Sequence, residues 1–138
     1  MYMVLAYLPH FIRVPMMRKA KAYNHKDPRT SVARVSDSPT EESTEEKEQR
    51  QFILRASGAH SNALEFFPFF AAAILSATVA GVRPEIIDAV ATVGVGSRAL
   101  HLYLYLTNKA GFRTLAFYSG WFTSLGLLTY AAYVARRN

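Results

Sequence analysis

Glu65, Arg98 and Arg113 are charged residues set in, or at the edge of, long apolar stretches, and each has polar neighbours at helical spacing. Arg55, Gly58, Asn62, Glu65 and Phe69 recur every three or four residues, which lines them along one face of a helix. Arg98, His101 and Tyr105 repeat that spacing on a second stretch, and Arg113 with Thr114 opens a third. An ionised side chain surrounded by hydrocarbon costs several kcal/mol unless it is paired or faces a cavity. Two arrangements meet that demand. Glu65 and Arg98 can form a buried ion pair that locks two helices together, or the charges can converge on a polar ligand site. Asn62, His101, Tyr105 and the further arginine exceed what one lock needs, and they favour the ligand site. His101 can equally be a packed, satisfied imidazole. His60 lies off the stripe and is expected to bond a backbone carbonyl or a lipid headgroup.

These residues need elements to carry them. The 138-residue chain is 51% apolar, with 16 Lys and Arg against 10 Asp and Glu. Sixteen of those charges fall within residues 18–56, so the remainder holds far fewer than the quarter or so usual in a soluble domain. A mean hydropathy of +0.05 averages the two parts. A single domain over residues 1–138 is expected, with helices over about 1–17, 52–82, 86–107 and 112–135 and a polar loop at 18–51. The last three runs are long enough to cross a bilayer, while the first is a few residues short. Arg83-Pro84-Glu85 and Asn108-Lys109-Ala110-Gly111 are tight connections, which make consecutive helices antiparallel. The expected fold is therefore all-α, a membrane-embedded up-down four-helix bundle. In such a bundle Glu65 and Arg98 lie at similar depth, roughly 15 Å in, with Asn62, His101 and Tyr105 just above them.

Arg18, Lys19, Lys21, Lys26, Arg29 and Arg34 follow the first run, and Lys109 and Arg113 lie at the third connection. The positive-inside rule then places both of those loops in the cytosol. A net charge of +6 could also suggest nucleic acid. The cations gather at span ends rather than along an aromatic-studded stripe, so no nucleic-acid partner is expected. Ser43 with Glu46 has the form of a capping box, so the second helix is expected to start in the cytosol. The acidic run before it is read as a solvated linker, with a docking segment as the alternative. Ala73, Ala77 and Gly81, and Gly120 with Ser124, are small-residue ridges that allow close helix approach within the bundle or between protomers. Pro68 is a candidate kink. Tyr118 is read as a packing or interfacial residue, pointing away from Phe117's side of its helix. Without cysteine, the chain has no disulfide, thiolate metal site or thiol nucleophile of its own, and no metal site is expected.

The run Gly58-Ala59-His60-Ser61-Asn62-Ala63-Leu64-Glu65-Phe66-Phe67-Pro68 resembles the second-helix signature of the MAPEG family, membrane-associated proteins in eicosanoid and glutathione metabolism. Arg98, His101 and Tyr105 resemble that family's third-helix Arg-x-x-His-x-x-x-Tyr pattern, and Arg113-Thr114 its pair opening the fourth helix. Asp27-Pro28-Arg29 is similar to a first-loop motif of small members. The resemblance, which is to small microsomal glutathione transferase-like members, covers nearly the whole chain. It implies a homotrimer in the endoplasmic reticulum or a related membrane, with glutathione as co-substrate between protomers near the cytosolic face. By that resemblance Arg55, Asn62, Glu65, Arg98, His101 and Tyr105 line the glutathione site. Glutathione brings two carboxylates for arginine, an ammonium for Glu65, and the thiol this chain lacks. Arg113, or the hydroxyl of Thr114, is the candidate for favouring the thiolate.

Two positions depart from the family pattern. Gly58 stands where many glutathione-binding members have arginine, with Arg55 one turn earlier as a substitute clamp. Phe117 falls where several members carry a tyrosine hydroxyl. Two functions follow. One is a glutathione-dependent transferase or peroxidase acting on a lipophilic small molecule that enters from the lipid bilayer. The other is a non-catalytic lipid-binding or scaffold protein of the same fold. A small proton-coupled carrier is a third reading of the same buried charges.

Overall fold

A computed structural model describes residues 2–19, 24, 26, 30–36 and 43–137. Among them are five helices and no strand: α1 (Tyr2–Lys19), α2 (Thr30–Ser36), α3 (Thr44–Val79), α4 (Pro84–Leu106) and α5 (Ala110–Ala135). The fold is all-α. Lys21, the Asp27-Pro28-Arg29 motif and the acidic residues Asp37, Glu41 and Glu42 lie outside the described residues.

The helix ends follow local chemistry. Ser43 Oγ accepts from the Glu46 amide at 3.3 Å, and the Glu46 carboxylate accepts from the Ser43 amide at 2.9 Å. This is the capping box read from the sequence. It starts α3 at Thr44, eight residues before the 52 expected from hydropathy, so the end of the acidic run is helix rather than linker. At the other end Gly81 has φ +74°, Val82 N bonds Ala77 O at 3.0 Å and Gly81 N bonds Thr78 O at 3.2 Å. Those two bonds make a Schellman exit. Pro84 then opens α4 at its first turn, where the missing N–H costs nothing. A second Schellman exit ends α4: Asn108 takes φ 59°, Lys109 N bonds Leu104 O and Asn108 N bonds Tyr105 O.

α3 is the hub of the packing. Tyr2 of α1 stacks on Phe67 and Phe70 and donates to Ala63 O at 2.8 Å, while Met17 at the other end of α1 is buried with Ile53. α1 therefore runs antiparallel to α3. Gly94 of α4 lies under the Phe70 ring, where a Cβ would overlap it, and Arg98 of α4 lies over Phe66. α4 is likewise antiparallel to α3. Ala73 and Ala77 are fully buried against Leu127 and Ala131 of α5. Gly120 and Ser124 of α5 are buried, with Ser97 of α4 close against Gly120. Both small-residue ridges thus serve packing inside the chain, apart from Gly81, which is spent on the turn.

α2 occupies the segment read as polar loop. Its Val35 packs into the Met17–Ile53 cluster, an apolar contact that fastens the loop to α1 and α3. α3 continues through Pro68 as helix. Among the described residues one helix, Thr44–Val79, joins the length of a span to a mean hydropathy of 1.5 over 18 residues. α4 and α5 are long enough, but Asp88, Arg98 and His101 lower the hydropathy of α4, and Gly, Ser, Thr and Tyr dilute the apolar residues of α5. Phe11, Leu75, Val79, Phe112, Leu115 and Phe122 are among many large apolar side chains that remain exposed. So much exposed apolar surface marks contact with lipid or with other protein.

Candidate functional site

Arg98 is the least expected tenant of the core, since it is only 4% exposed. Gly120 leaves a gap beside it, where a Cβ would overlap Ser97 Oγ and stand 3.3 Å from Nη2. Nη2 donates to the Phe117 carbonyl at 2.7 Å. The guanidinium lies 4.1 Å above the Phe66 ring and 4.8 Å from that of Phe117, two cation–π contacts. Nε and Nη1 are buried and have no hydrogen-bond partner among the described residues. Two unsatisfied donors on one buried cation are unusual, and each costs roughly 1–3 kcal/mol.

Next to Arg98, a cleft of about 190 Å³ opens between α3, α4 and α5, lined by Asn62, His101, Tyr105, Arg113, Thr114, Phe117 and Tyr118. Its construction follows from the exit of α4. The αL residue Asn108 folds the chain back so that Arg113 on α5 returns to Tyr105 on α4, with its guanidinium 4.3 Å from the ring centroid. His101 is buried and packs against Tyr105 at 5.5 Å and Phe117 at 5.9 Å. Thr114 Oγ1 donates to Ala110 O at 3.2 Å, so its proton is engaged and Arg113 is the better donor toward the cleft. Gly58 lies against the Tyr105 hydroxyl, which would overlap a Cβ at that position. The cleft thus offers one guanidinium, an amide, hydroxyls and an imidazole within an apolar bundle, a donor-rich set suited to an anionic polar ligand.

A family model described as the MAPEG family matches residues 1–133. The chain belongs to the MAPEG family. No similar curated protein and no similar solved structure was found. The MAPEG proteins are helical membrane proteins, in keeping with the apolar span in α3 and the exposed apolar surface.

Of the eight site residues read from this MAPEG sequence, Asn62, His101, Tyr105, Arg113 and Thr114 line the cleft together. Arg98 lies behind it, in a recess of about 10 Å³ shared with Tyr2, Ala59 and His101. Glu65 is exposed on α3 and makes no ion pair with Arg98. Arg55 is half-buried, with its Nε buried and lacking a partner among the described residues. The stripe on α3 therefore splits. Gly58 and Asn62 face α4 and the cleft, Phe69 stacks on Trp121 at 5.7 Å, and Glu65 points outward.

His60 bonds a backbone carbonyl, as its place off the stripe suggested, with Nδ1 2.7 Å from Ala6 O. Around it sit Tyr7 and His10, each ring 5.2 Å away, and Arg13 contacts both His10 and Ser57. Tyr118 requires a correction. It was expected to point away from the Phe117 side, yet both residues line the cleft. Thr114 and Tyr118 are four apart and so share a face, which is the signal that finds it. Tyr118 is edge-on to Phe117 at 5.6 Å and stacked on Phe122 at 5.8 Å.

Proposed function

We propose that this chain is a multi-pass membrane enzyme of the microsomal glutathione transferase type. It uses glutathione to conjugate or reduce a lipophilic electrophile that enters from the bilayer. The observation that carries the reading is the cleft: Arg113 stacked on Tyr105, beside Asn62, His101 and Thr114, with the unsatisfied Arg98 directly behind. Glutathione fits this donor set. Arg113 is a partner for a glutathione carboxylate, and Asn62 is a partner for its peptide groups. When bound it supplies the thiol, which a chain without cysteine cannot. Arg113 is the cation that favours the thiolate.

Glu65 belongs to the same reading. A carboxylate exposed on the flank of an apolar helix needs a partner, and a neighbouring copy or the glutathione ammonium supplies one. That supports assembly as a homotrimer with sites between protomers. The cation-rich segments near Arg18 and Lys109 support a cytosolic placement of the cleft mouth, in the endoplasmic reticulum or a related membrane.

Two observations favour a second reading, a non-catalytic lipid-binding member. Phe117 presents a ring to the cleft rather than a hydroxyl, and an apolar groove of about 520 Å³ runs between α3 and α5 past Leu75, Val79 and Leu128. The deciding experiment titrates glutathione into the purified protein while following the ultraviolet absorbance of the thiolate, then repeats it with Arg113→Ala. Saturable thiolate formation that Arg113→Ala removes supports the enzyme. No binding at millimolar glutathione removes the proposal, and binding without turnover on any lipophilic electrophile favours the second reading.

A further inference from the structure

Arg113 is a long, flexible side chain at the start of α5, and among the described residues the contact that holds its guanidinium in the cleft is the Tyr105 ring 4.3 Å away. Tyr105 in turn reaches across to α3 rather than standing out from α4. It can do so because residue 58 has no side chain: a Cβ there would overlap the Tyr105 hydroxyl and stand 3.1 Å from Cζ and 3.4 Å from Cε1. Gly58 sits in the interior of α3, where glycine costs a helix roughly 1 kcal/mol against alanine. The bare backbone thus serves the ring rather than the helix.

We propose that Gly58 is a positioning residue, and that through the seat it gives Tyr105 it sets where the Arg113 guanidinium stands in the cleft. This deepens the functional reading above, and rests on it only for the consequence to glutathione. The crowded atom is the far end of a side chain, so a methyl at 58 swings the ring away instead of unfolding the helix. The ring then no longer stacks on Arg113, and the cation goes to solvent.

The direct test needs no glutathione. The purified protein is treated with an arginine-selective dicarbonyl, and modification of Arg113 is followed by peptide mass spectrometry. Gly58→Ala is expected to speed modification of Arg113 on the order of five-fold, the worth of one partly exposed cation–π contact. Tyr105→Leu, which leaves α3 untouched, is expected to do the same. Adding Tyr105→Phe to Gly58→Ala removes the overlapping hydroxyl and is expected to restore slow modification. A merely structural role for Gly58 would not be rescued on another helix. Wild-type reactivity in Gly58→Ala, or no rescue by Tyr105→Phe, overturns the proposal. Glutathione titration of the same variants is read separately. If the wild type binds none while the dicarbonyl pattern holds, the glutathione reading fails and the positioning role stands.

Discussion

Replacing Arg98 by methionine removes a buried cation while keeping much of its length, and the structure lets the cost be worked out. Lost are a charge-assisted hydrogen bond to Phe117 O at 2.7 Å and two ring contacts at 4.1 and 4.8 Å. Those are worth about 1.5–3 kcal/mol and about 0.5–2 kcal/mol each. Relieved are two buried donors, Nε and Nη1, that lack partners, at about 1–3 kcal/mol each. The two sides balance to within about 2 kcal/mol. Had Arg98 been half of a buried ion pair, losing it would cost about 3–5 kcal/mol. Thermal unfolding in micelles, followed by the fluorescence of Trp121, the single tryptophan, reads the difference, because that ring stacks on Phe69 beside Gly120. Arg98→Met should move the apparent Tm by less than about 8 °C in either direction. A fall in Tm of more than about 10 °C would refute the reasoning, and would make Arg98 a lock.

Gly94→Ala pushes a methyl into the buried Phe70 ring and should cost about 1–3 kcal/mol. Gly96→Ala two residues on meets nothing within 4 Å and should stabilise by roughly 1 kcal/mol, so paired melting curves check the packing of α3 on α4. The Ser43 amide holds the Glu46 carboxyl below its ordinary value of 4.5. A carboxyl lowered in the folded state stabilises α3 above that ordinary value, and the contribution is lost as pH falls through the lowered one. The Ser43 amide chemical shift should therefore titrate in the acid range, and should be flat in Glu46→Gln. Phe117→Tyr adds a hydroxyl to the cleft wall, and should raise glutathione turnover on a lipophilic electrophile on the order of tenfold. Unchanged turnover would argue against a hydroxyl at this position acting on the thiol.

Much of the architecture is written in short-range chemistry, and that part was legible. Ser43 and Glu46 announce the start of α3, and Arg83-Pro84-Glu85 and Asn108-Lys109-Ala110-Gly111 announce tight connections, whereas Gly81, read as part of a packing ridge, instead closes α3 in left-handed backbone. Ala73 and Ala77 announce a close approach, which α5 makes. Hydropathy alone misplaced the start of α3, because an average over a window cannot see a cap. It also hid α2, whose two valines, Val32 and Val35, are diluted by charged neighbours although three-residue spacing sets them on one face.

The site was legible as a set of residues and illegible as a geometry. Helical spacing says that Asn62 and Glu65 are near one another on α3, but not which lies inside the contact with α4 and α5. That is decided by what packs there: the Phe66 ring and the Gly58 gap take the inner face, and Glu65 falls outside it. The resulting charge distribution is lopsided in one copy of the chain. A cation with two unused donors is sealed in, and a carboxylate of the same helical bundle faces out. In water an exposed glutamate would need no explanation, but on a helix long and apolar enough to span a bilayer it does. Apolar side chains exposed on every long helix make the same point from the other side. Both are surfaces that a single chain leaves unfinished, and they set the order of experiments. The assembly state should be measured before Glu65→Gln is read: under the proposed trimer its loss is expected in stability if a neighbouring copy pairs with the carboxylate, and in glutathione affinity if the ligand does.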